Sequence, residues 1–200
     1  MEENNNIEQI EEDYEYITYL IGAMTITAEK DGGIAKREDL DKELKLRKVL
    51  GINPAILEKC KTGMEVNDAI DKIKGWVSGG KRDLLQETGK QIWKGTDGIG
   101  DRGNLLHICG DLDYVKMSNW ITFVLHAKDR PCGSYFECGV AIENNIPIYL
   151  ITDIPKKDLP QSLILGIESV EGEFFENQNQ YFEFIDKKYG LKRKEIKNEK

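Results

Sequence analysis

Two largely apolar runs of strand length, Trp120-Ile-Thr-Phe-Val-Leu125 and Ile146 to Thr152, lie one helix apart in the chain. A continuous run of this kind is expected of a strand buried on both faces, because a half-exposed strand alternates apolar with polar residues. Between the runs, a loop from His126 to Gly133 leads into a helical segment, about Ser134 to Asn145. Strand, helix and strand in this order form a parallel crossover unit, which commits the chain to an α/β domain with a mostly parallel sheet. Such sheets bind ligands outside the carboxyl ends of their strands. Chemistry is therefore expected in the loops after Leu20, Leu125 and Ile151.

The first half supports the same class. Tyr16-Ile-Thr-Tyr-Leu-Ile-Gly22 reads as a strand ending at a glycine, and a polar loop from Thr25 to Gly33 follows it. Ala35 to Val49 has Leu40 and Leu44 at helical spacing, and a short strand ending at Pro54 is expected next. Glu65 to Trp93 reads as mainly helical, broken at Ser78-Gly-Gly80, and Asp97 to Gly103 as a glycine-rich loop. Leu105 to Cys109 is a short apolar run, and Asp111 to Ser118 fits two helical turns. Asn177 is a good N-cap for a last helix, Gln178 to Tyr189.

At 200 residues and 40% hydrophobic content, the chain can form one compact domain, which excludes wholesale disorder. No apolar run approaches the roughly 18 residues needed to span a bilayer. Residues 1–15 are acidic and polar, unlike a signal peptide, so the expected compartment is the cytoplasm. Seven acids of that leader supply most of the net charge of −8, leaving the body near neutral. The end leans basic, with Lys192-Arg-Lys194 inside a tail at 191–200. Both charge blocks are expected to be solvated, frayed tails. No aromatics interleave the basic residues, so a nucleic-acid polymer is disfavoured as a partner.

Cys60, Cys109, Cys132 and Cys138 share no C-x-x-C spacing, and His107 and His126 are the two histidines. No metal site is expected from so scattered a set; the cysteines read as buried thiols. Two phosphate-loop patterns fail on context. In Gly75-Trp-Val-Ser-Gly-Gly80-Lys81-Arg82, Arg82 replaces the hydroxyl that would hold Mg²⁺, and a helix precedes it where a strand is needed. In Gly98-Ile-Gly100-Asp-Arg-Gly103 the apolar run follows the glycines instead of preceding them.

Pro131-Cys-Gly-Ser-Tyr-Phe-Glu137-Cys-Gly-Val-Ala141 is better placed, between the two buried strands. Gly133 and Ser134 open the helix and offer N–H groups and a hydroxyl at its positive end. Glu137, about one turn inside, can point back toward the strand ends. A carboxylate there can attack the anomeric carbon of a sugar, or can simply stabilise the helix N-terminus.

Three segments decide the expectation between them. Tyr19-Leu-Ile-Gly-Ala-Met24, Asp111-Leu-Asp-Tyr-Val-Lys-Met-Ser-Asn119, and Gly133-Ser-Tyr-Phe-Glu137-Cys-Gly-Val-Ala141 with Pro147-Ile-Tyr-Leu150 occur in this order. Together they resemble the nucleoside 2-deoxyribosyltransferase family, over about Tyr16 to Gly190. The resemblance implies an α/β domain at 16–190, with a flavodoxin-like or Rossmann-like parallel sheet flanked by helices. Residues of about 65–103 would be a mainly helical insertion. It implies Glu137 as nucleophile, Asp111 as the group that contacts the base and manages its proton, and Tyr19 beside the nucleophile. It places Gly22, Ala23, Asp31, Gly33, Arg37, Gly133 and Ser134 around the substrate, with Arg37 matching an arginine some members carry after the first strand. A solvated helix charge is the other reading of Arg37. The ligand implied is a small nucleoside or nucleotide, with no cofactor, no metal and no membrane, in a homo-oligomer.

The departures bear on the substrate. Pro131 stands where members place an aspartate or serine, Asn119 replaces the second acid of an S-D pair, and Ala23-Met24 replaces G-P. The expected function is cleavage of an N-glycosidic bond through a covalent glutamyl-sugar intermediate, as a nucleoside 2-deoxyribosyltransferase. The alternatives are a nucleoside 5′-monophosphate N-glycosidase, a non-catalytic nucleotide-binding module, and an interaction protein that docks through the insertion.

Overall fold

The computed structural model describes residues 14–22, 34–54, 66–99, 105–129 and 132–194. Its centre is a five-stranded parallel sheet built from β1 (Tyr16–Gly22), β2 (Val49–Ile52), β5 (Trp120–Leu125), β6 (Ile148–Thr152) and β7 (Glu173–Phe175), in the order β2-β1-β5-β6-β7. The expected α/β class, a flavodoxin-like parallel sheet flanked by helices, is what the chain adopts. From β1 the chain moves outward to β2, then crosses back to place β5 on the other side of β1. The topological switch point, where open α/β sheets hold ligands, thus lies between β1 and β5.

Helices cover both faces. On one, α1 (Ile34–Lys45) and α7 (Gln178–Tyr189) bury Leu40, Leu44, Tyr181 and Ile185 against Leu20, Trp120, Tyr149 and Ile151. On the other, α4 (Asp111–Met117), α5 (Cys132–Glu143) and α6 (Gln161–Ser169) bury Val115, Ala141 and Ile167 against Tyr19, Ile121, Phe123 and Leu150. Both faces of β5 and β6 are therefore covered, and all five residues of β6 are buried. Between β2 and α4 stand a helical pair, α2 (Val66–Ser78) and α3 (Arg82–Lys94), and a separate antiparallel hairpin, β3 (Thr96–Ile99) with β4 (Leu105–Ile108). Asn177 caps α7 by accepting a 3.1 Å bond from Gln180 N, and Gly190 closes it at φ 67°.

The structure corrects several expectations. Val49 belongs to β2, not α1: the helix stops at Lys45, and a turn with Lys48 at φ 59° redirects the chain. Residues 96–99 form β3 where the composition predicts a loop, because pairing with β4 supplies what that composition lacks. Helix α5 begins at Cys132, two residues before Ser134. Helix α6 and strand β7 fill 153–177, where the sequence predicts no element. Of the cysteines, Cys138 is buried as expected, but Cys109 is only partly so.

The charged ends are also anchored where they can be followed. Glu15 N donates to Lys48 O at 2.8 Å and its carboxylate pairs with Lys48 Nζ at 2.9 Å. Arg193 forks onto both carboxylate oxygens of Glu43 at 2.9 Å, and Lys194 N donates to Leu46 O at 2.8 Å. Residues 191–194 are thus docked and not frayed. The leader before Tyr14, and residues 195–200, lie outside the described residues.

Candidate active site

The switch point brings together the side chains singled out from sequence. Tyr19 lies within β1 and is fully buried. Glu137 lies on α5 and Asp111 opens α4; they are 5% and 2% exposed. Charge at those positions survives burial only with partners. The Tyr19 hydroxyl donates to Glu137 Oε1 at 3.1 Å, so β1 and α5 are joined across the crevice. Helix α4 starts at a fixed place because Asp113 accepts a 3.1 Å bond from the Gly110 N–H. A Cβ on Gly110 would stand 2.6 Å from Lys94 N, so the end of α3 abuts the start of α4 there.

Gly22 ends β1 on the floor of the crevice. A Cβ at this position would stand 3.0 Å from Val124 O and 3.1 Å from Arg37 Nη1. The bare glycine is therefore what lets the guanidinium of α1 come down onto the sheet. Arg37 is 2% exposed, so the reading of it as a solvated helix charge is overturned. Ser134 is buried on α5, one turn before Glu137, and Gly133 is exposed, its Cβ position 3.8 Å from the Trp93 ring.

The electrostatics are those of a crowded acidic pair. Burial, and then the Asp111 carboxylate, push the Glu137 carboxyl up to about 8; the Tyr19 hydrogen bond and the Arg37 charge oppose this. Burial and the two acids together hold the Tyr19 phenol well above its ordinary range, so it stays a proton donor. Burial and Glu137 likewise raise the neighbouring Cys138 thiol, which is an inert packing group here. A carboxyl that is poised between its two forms, with a phenol and a second acid beside it, can serve as nucleophile or as proton carrier.

Of the expected site, Tyr19, Gly22, Arg37, Asp111, Gly133, Ser134 and Glu137 are described, and the elements that carry them, β1, α1, α4 and α5, meet around the switch point. Ala23, Asp31 and Gly33, and also Pro131, lie outside the described residues. The sequence reading misses two neighbours. Tyr114 stands with its ring parallel to that of Tyr19, centroids 6.5 Å apart, and its place one turn after Asp111 is the signal that could have found it. Trp93, from the insertion, tilts against Phe136 of α5 with centroids 6.1 Å apart; no pattern in the sequence links those two. Asn119, which replaces an acid of the family pattern, holds β1 in place: its side chain accepts from Ile17 N at 2.8 Å. Among the described residues no cluster of three or more His, Cys, Asp or Glu could hold a metal ion, and no helix is long and apolar enough to cross a membrane.

A scan against protein-family models finds no match to the chain, and no curated protein matches it.

Proposed function

We propose that the protein cleaves the N-glycosidic bond of a (deoxy)nucleoside or nucleotide, first of all as a nucleoside 2-deoxyribosyltransferase. The observation that carries this reading is the buried Glu137 carboxyl, hydrogen-bonded by Tyr19 and faced by Asp111, at the switch point of the sheet. In the first step a Glu137 oxygen bonds to the sugar C1′ while the C1′–N bond breaks. The electron pair leaves with the base, which takes the one proton of the acid pair, held on Asp111 when Glu137 is ionised. In the second step a nitrogen of an incoming base bonds to C1′, the ester bond breaks, and the proton released returns to Asp111. Tyr19 holds the carboxylate by its Oε1, leaving the other oxygen to attack. No cofactor or metal enters these two steps, and the protein would act in the cytoplasm as a homo-oligomer on a small ligand.

A second reading, hydrolysis of nucleoside 5′-monophosphates, is favoured by Arg37. A guanidinium buried at the crevice floor suits a phosphate, and water would then replace the incoming base. The test is incubation with deoxynucleosides and with nucleoside monophosphates, each with and without a second free base. Base exchange supports transfer, and base release from monophosphates supports hydrolysis. A sugar adduct on Glu137 in the intact mass supports both. Unchanged substrates throughout, or activity that survives Glu137→Ala, would sink the reading.

A further inference from the structure

Helices α3, α4 and α5 enclose a groove of about 480 Å³, a size that takes a small organic ligand. Its walls follow from helix spacing. On α3, Leu85, Gly89 and Trp93 recur at every fourth residue and form one stripe. On α5, Phe136 and Val140 do the same, and Leu112 of α4 lies between. Eight residues separate Leu85 from Trp93, so the stripe is about 12 Å long. Trp93 closes one end: its ring tilts against Phe136, centroids 6.1 Å apart, and stands 3.8 Å from the Cβ position of Gly133. Gly89 stands in mid-helix, where glycine is less stable than alanine. No atom lies within 4 Å of a Cβ there, so no internal contact requires the glycine; a side chain would instead project into the groove. Phe136 is 70% exposed and leaves the apolar lining open to water.

The charge of the rim identifies the ligand. Lys90 and Lys94 line the groove beside the α3 stripe, and no acid lines it. Asp83 and Glu87 come before both lysines on the helix and stay outside the lining. Both lysines are exposed, and neither has an ion-pair partner among the described residues. Two like charges four residues apart repel each other, and an anion between them relieves this. A lysine lays its stem along apolar surface and keeps its ammonium in water. The anion therefore belongs at the rim, with an apolar body below it. Lysine is a compact point charge without the flat fork of arginine, which suits a single small headgroup. The lysines flank Trp93 in the sequence, so this headgroup lies at the closed end and the body extends toward Leu85.

We propose that this groove binds a medium-chain fatty carboxylate, its headgroup at Lys90 and Lys94 and its acyl chain along Gly89 toward Leu85. The length of the stripe and the bare backbone at Gly89 suit an extended chain. Phe136 and Leu112 are covered when that chain is in place. The lining contains none of the crevice residues Tyr19, Arg37, Asp111 and Glu137, so this site does not depend on the reaction proposed there.

The test is isothermal titration calorimetry of the full chain with monomeric decanoate. A Kd of about 0.1–1 mM is expected for a ligand of this size. Gly89→Leu fills the groove and should weaken binding at least about tenfold. Gly75→Leu, at a mid-helix glycine of α2 whose Cβ also meets nothing within 4 Å, should leave binding unchanged. Leucine favours the helix at both positions, so thermal unfolding should find neither variant less stable than the native chain. Lys90→Gln with Lys94→Gln should weaken decanoate about tenfold. Absence of binding by the native chain overturns the proposal. So does affinity that survives Gly89→Leu or the lysine pair, or that Gly75→Leu reduces equally. Two further results, each without decanoate binding, overturn it by naming another occupant. One is co-sedimentation with phosphatidylglycerol vesicles; the other is a dimer that Gly89→Leu disrupts.

Discussion

The Tyr19 hydroxyl donates to Glu137 Oε1 at 3.1 Å, from the first strand of the chain to the helix that follows β5. This bond favours the carboxylate, while burial and Asp111 favour the acid, and the outcome is a carboxyl at about 8. With ionised Glu137 as the nucleophile and the pair's one proton on Asp111 as the acid, kcat/KM for base release falls as pH rises through about 8, where the pair loses that proton. The variants move the inflection in predictable directions. Asp111→Asn removes a like charge and lowers it; Tyr19→Phe and Arg37→Met remove stabilisation of the anion and raise it. A pH–rate profile of the four proteins checks all three signs. A common midpoint would detach Glu137 from the ionisation.

The same shift predicts a stability effect that needs no substrate. Unfolded, Glu137 titrates near its ordinary 4.5; folded, near about 8. Stability from its neutral form is whole below 4.5 and declines as pH rises toward 8, at up to about 1.4 kcal/mol per pH unit. Glu137→Gln has no such dependence. Urea midpoints should therefore diverge in favour of the variant as pH rises through this window, while its catalytic rate falls at least about 10⁴-fold. Parallel stability curves would show that Glu137 is not held neutral by burial.

Gly22 and Gly139 make a contrast between the crevice floor and the open helix surface. Gly22→Ala drives a methyl against the Val124 carbonyl and the Arg37 guanidinium, at 3.0 and 3.1 Å. The backbone of the central strand cannot readily yield, so a loss of about 1–3 kcal/mol is expected, and the displaced Arg37 raises the Glu137 inflection. Gly139→Ala on exposed helix surface meets nothing within 4 Å and should be neutral or stabilising by about 0.5 kcal/mol. Thermal unfolding of both variants measures the contrast.

The docked C-terminus separates buried from exposed ion pairing. Arg47 donates to Asp186 at 2.8 Å and to the Glu43 carboxylate at 2.9 Å, and lies 4.2 Å over the Phe182 ring. Its side chain is 7% exposed, so Arg47→Ala takes the partner from Asp186, uncovers the Phe182 ring and leaves Glu43 to Arg193 alone, and should cost about 3 kcal/mol. Arg193 is 44% exposed, and Arg193→Ala should cost clearly less than Arg47→Ala, and less again in high salt. Its hydrogen bonds are the main reason the Glu43 carboxyl is held down at about 2. That contribution is present above Glu43's ordinary 4.5 and fades as pH falls toward 2, so the two proteins should converge in acid. Equal losses for both arginines would contradict the burial argument.

What the sequence disclosed and what it hid divide along locality. Strands β5 and β6 were legible because two-sided burial writes a continuous apolar run, and α7 because Asn177 signals its start within one turn. Glu137 was legible because the helix after β5 opens at the switch point. The burial of Arg37 was not. Its neighbours Lys36, Glu38 and Asp39 read as a solvated face, and the reason for its burial is a missing Cβ on Gly22, in a different element. Arg193 looked like tail charge because its partner Glu43 is 150 residues away. Strand β3, Thr-Asp-Gly-Ile, has almost no strand signature of its own and is defined by β4 across the hairpin.

Thr122 is the polar residue inside the apolar run that announced the fold, and its hydroxyl explains why it is tolerated. It lies 2.8 Å from Thr18 Oγ1 and 2.8 Å from Tyr181 Oη, and accepts from Trp120 Nε1 at 3.1 Å. One hydroxyl thus satisfies groups from β1, β5 and α7, all of them buried. Thr122→Val keeps the shape and leaves no cavity, but it deprives the Thr18 hydroxyl of this partner and takes one from Tyr181. The cost should be about 2–3 kcal/mol, because a buried polar group without its bond bears its full desolvation penalty. Thr122→Ser keeps the hydroxyl and loses one methyl, costing about 1 kcal/mol. Chemical denaturation of the two variants orders them. If Thr122→Ser proves the worse, packing of the methyl and not the shared hydroxyl holds this face of the sheet together.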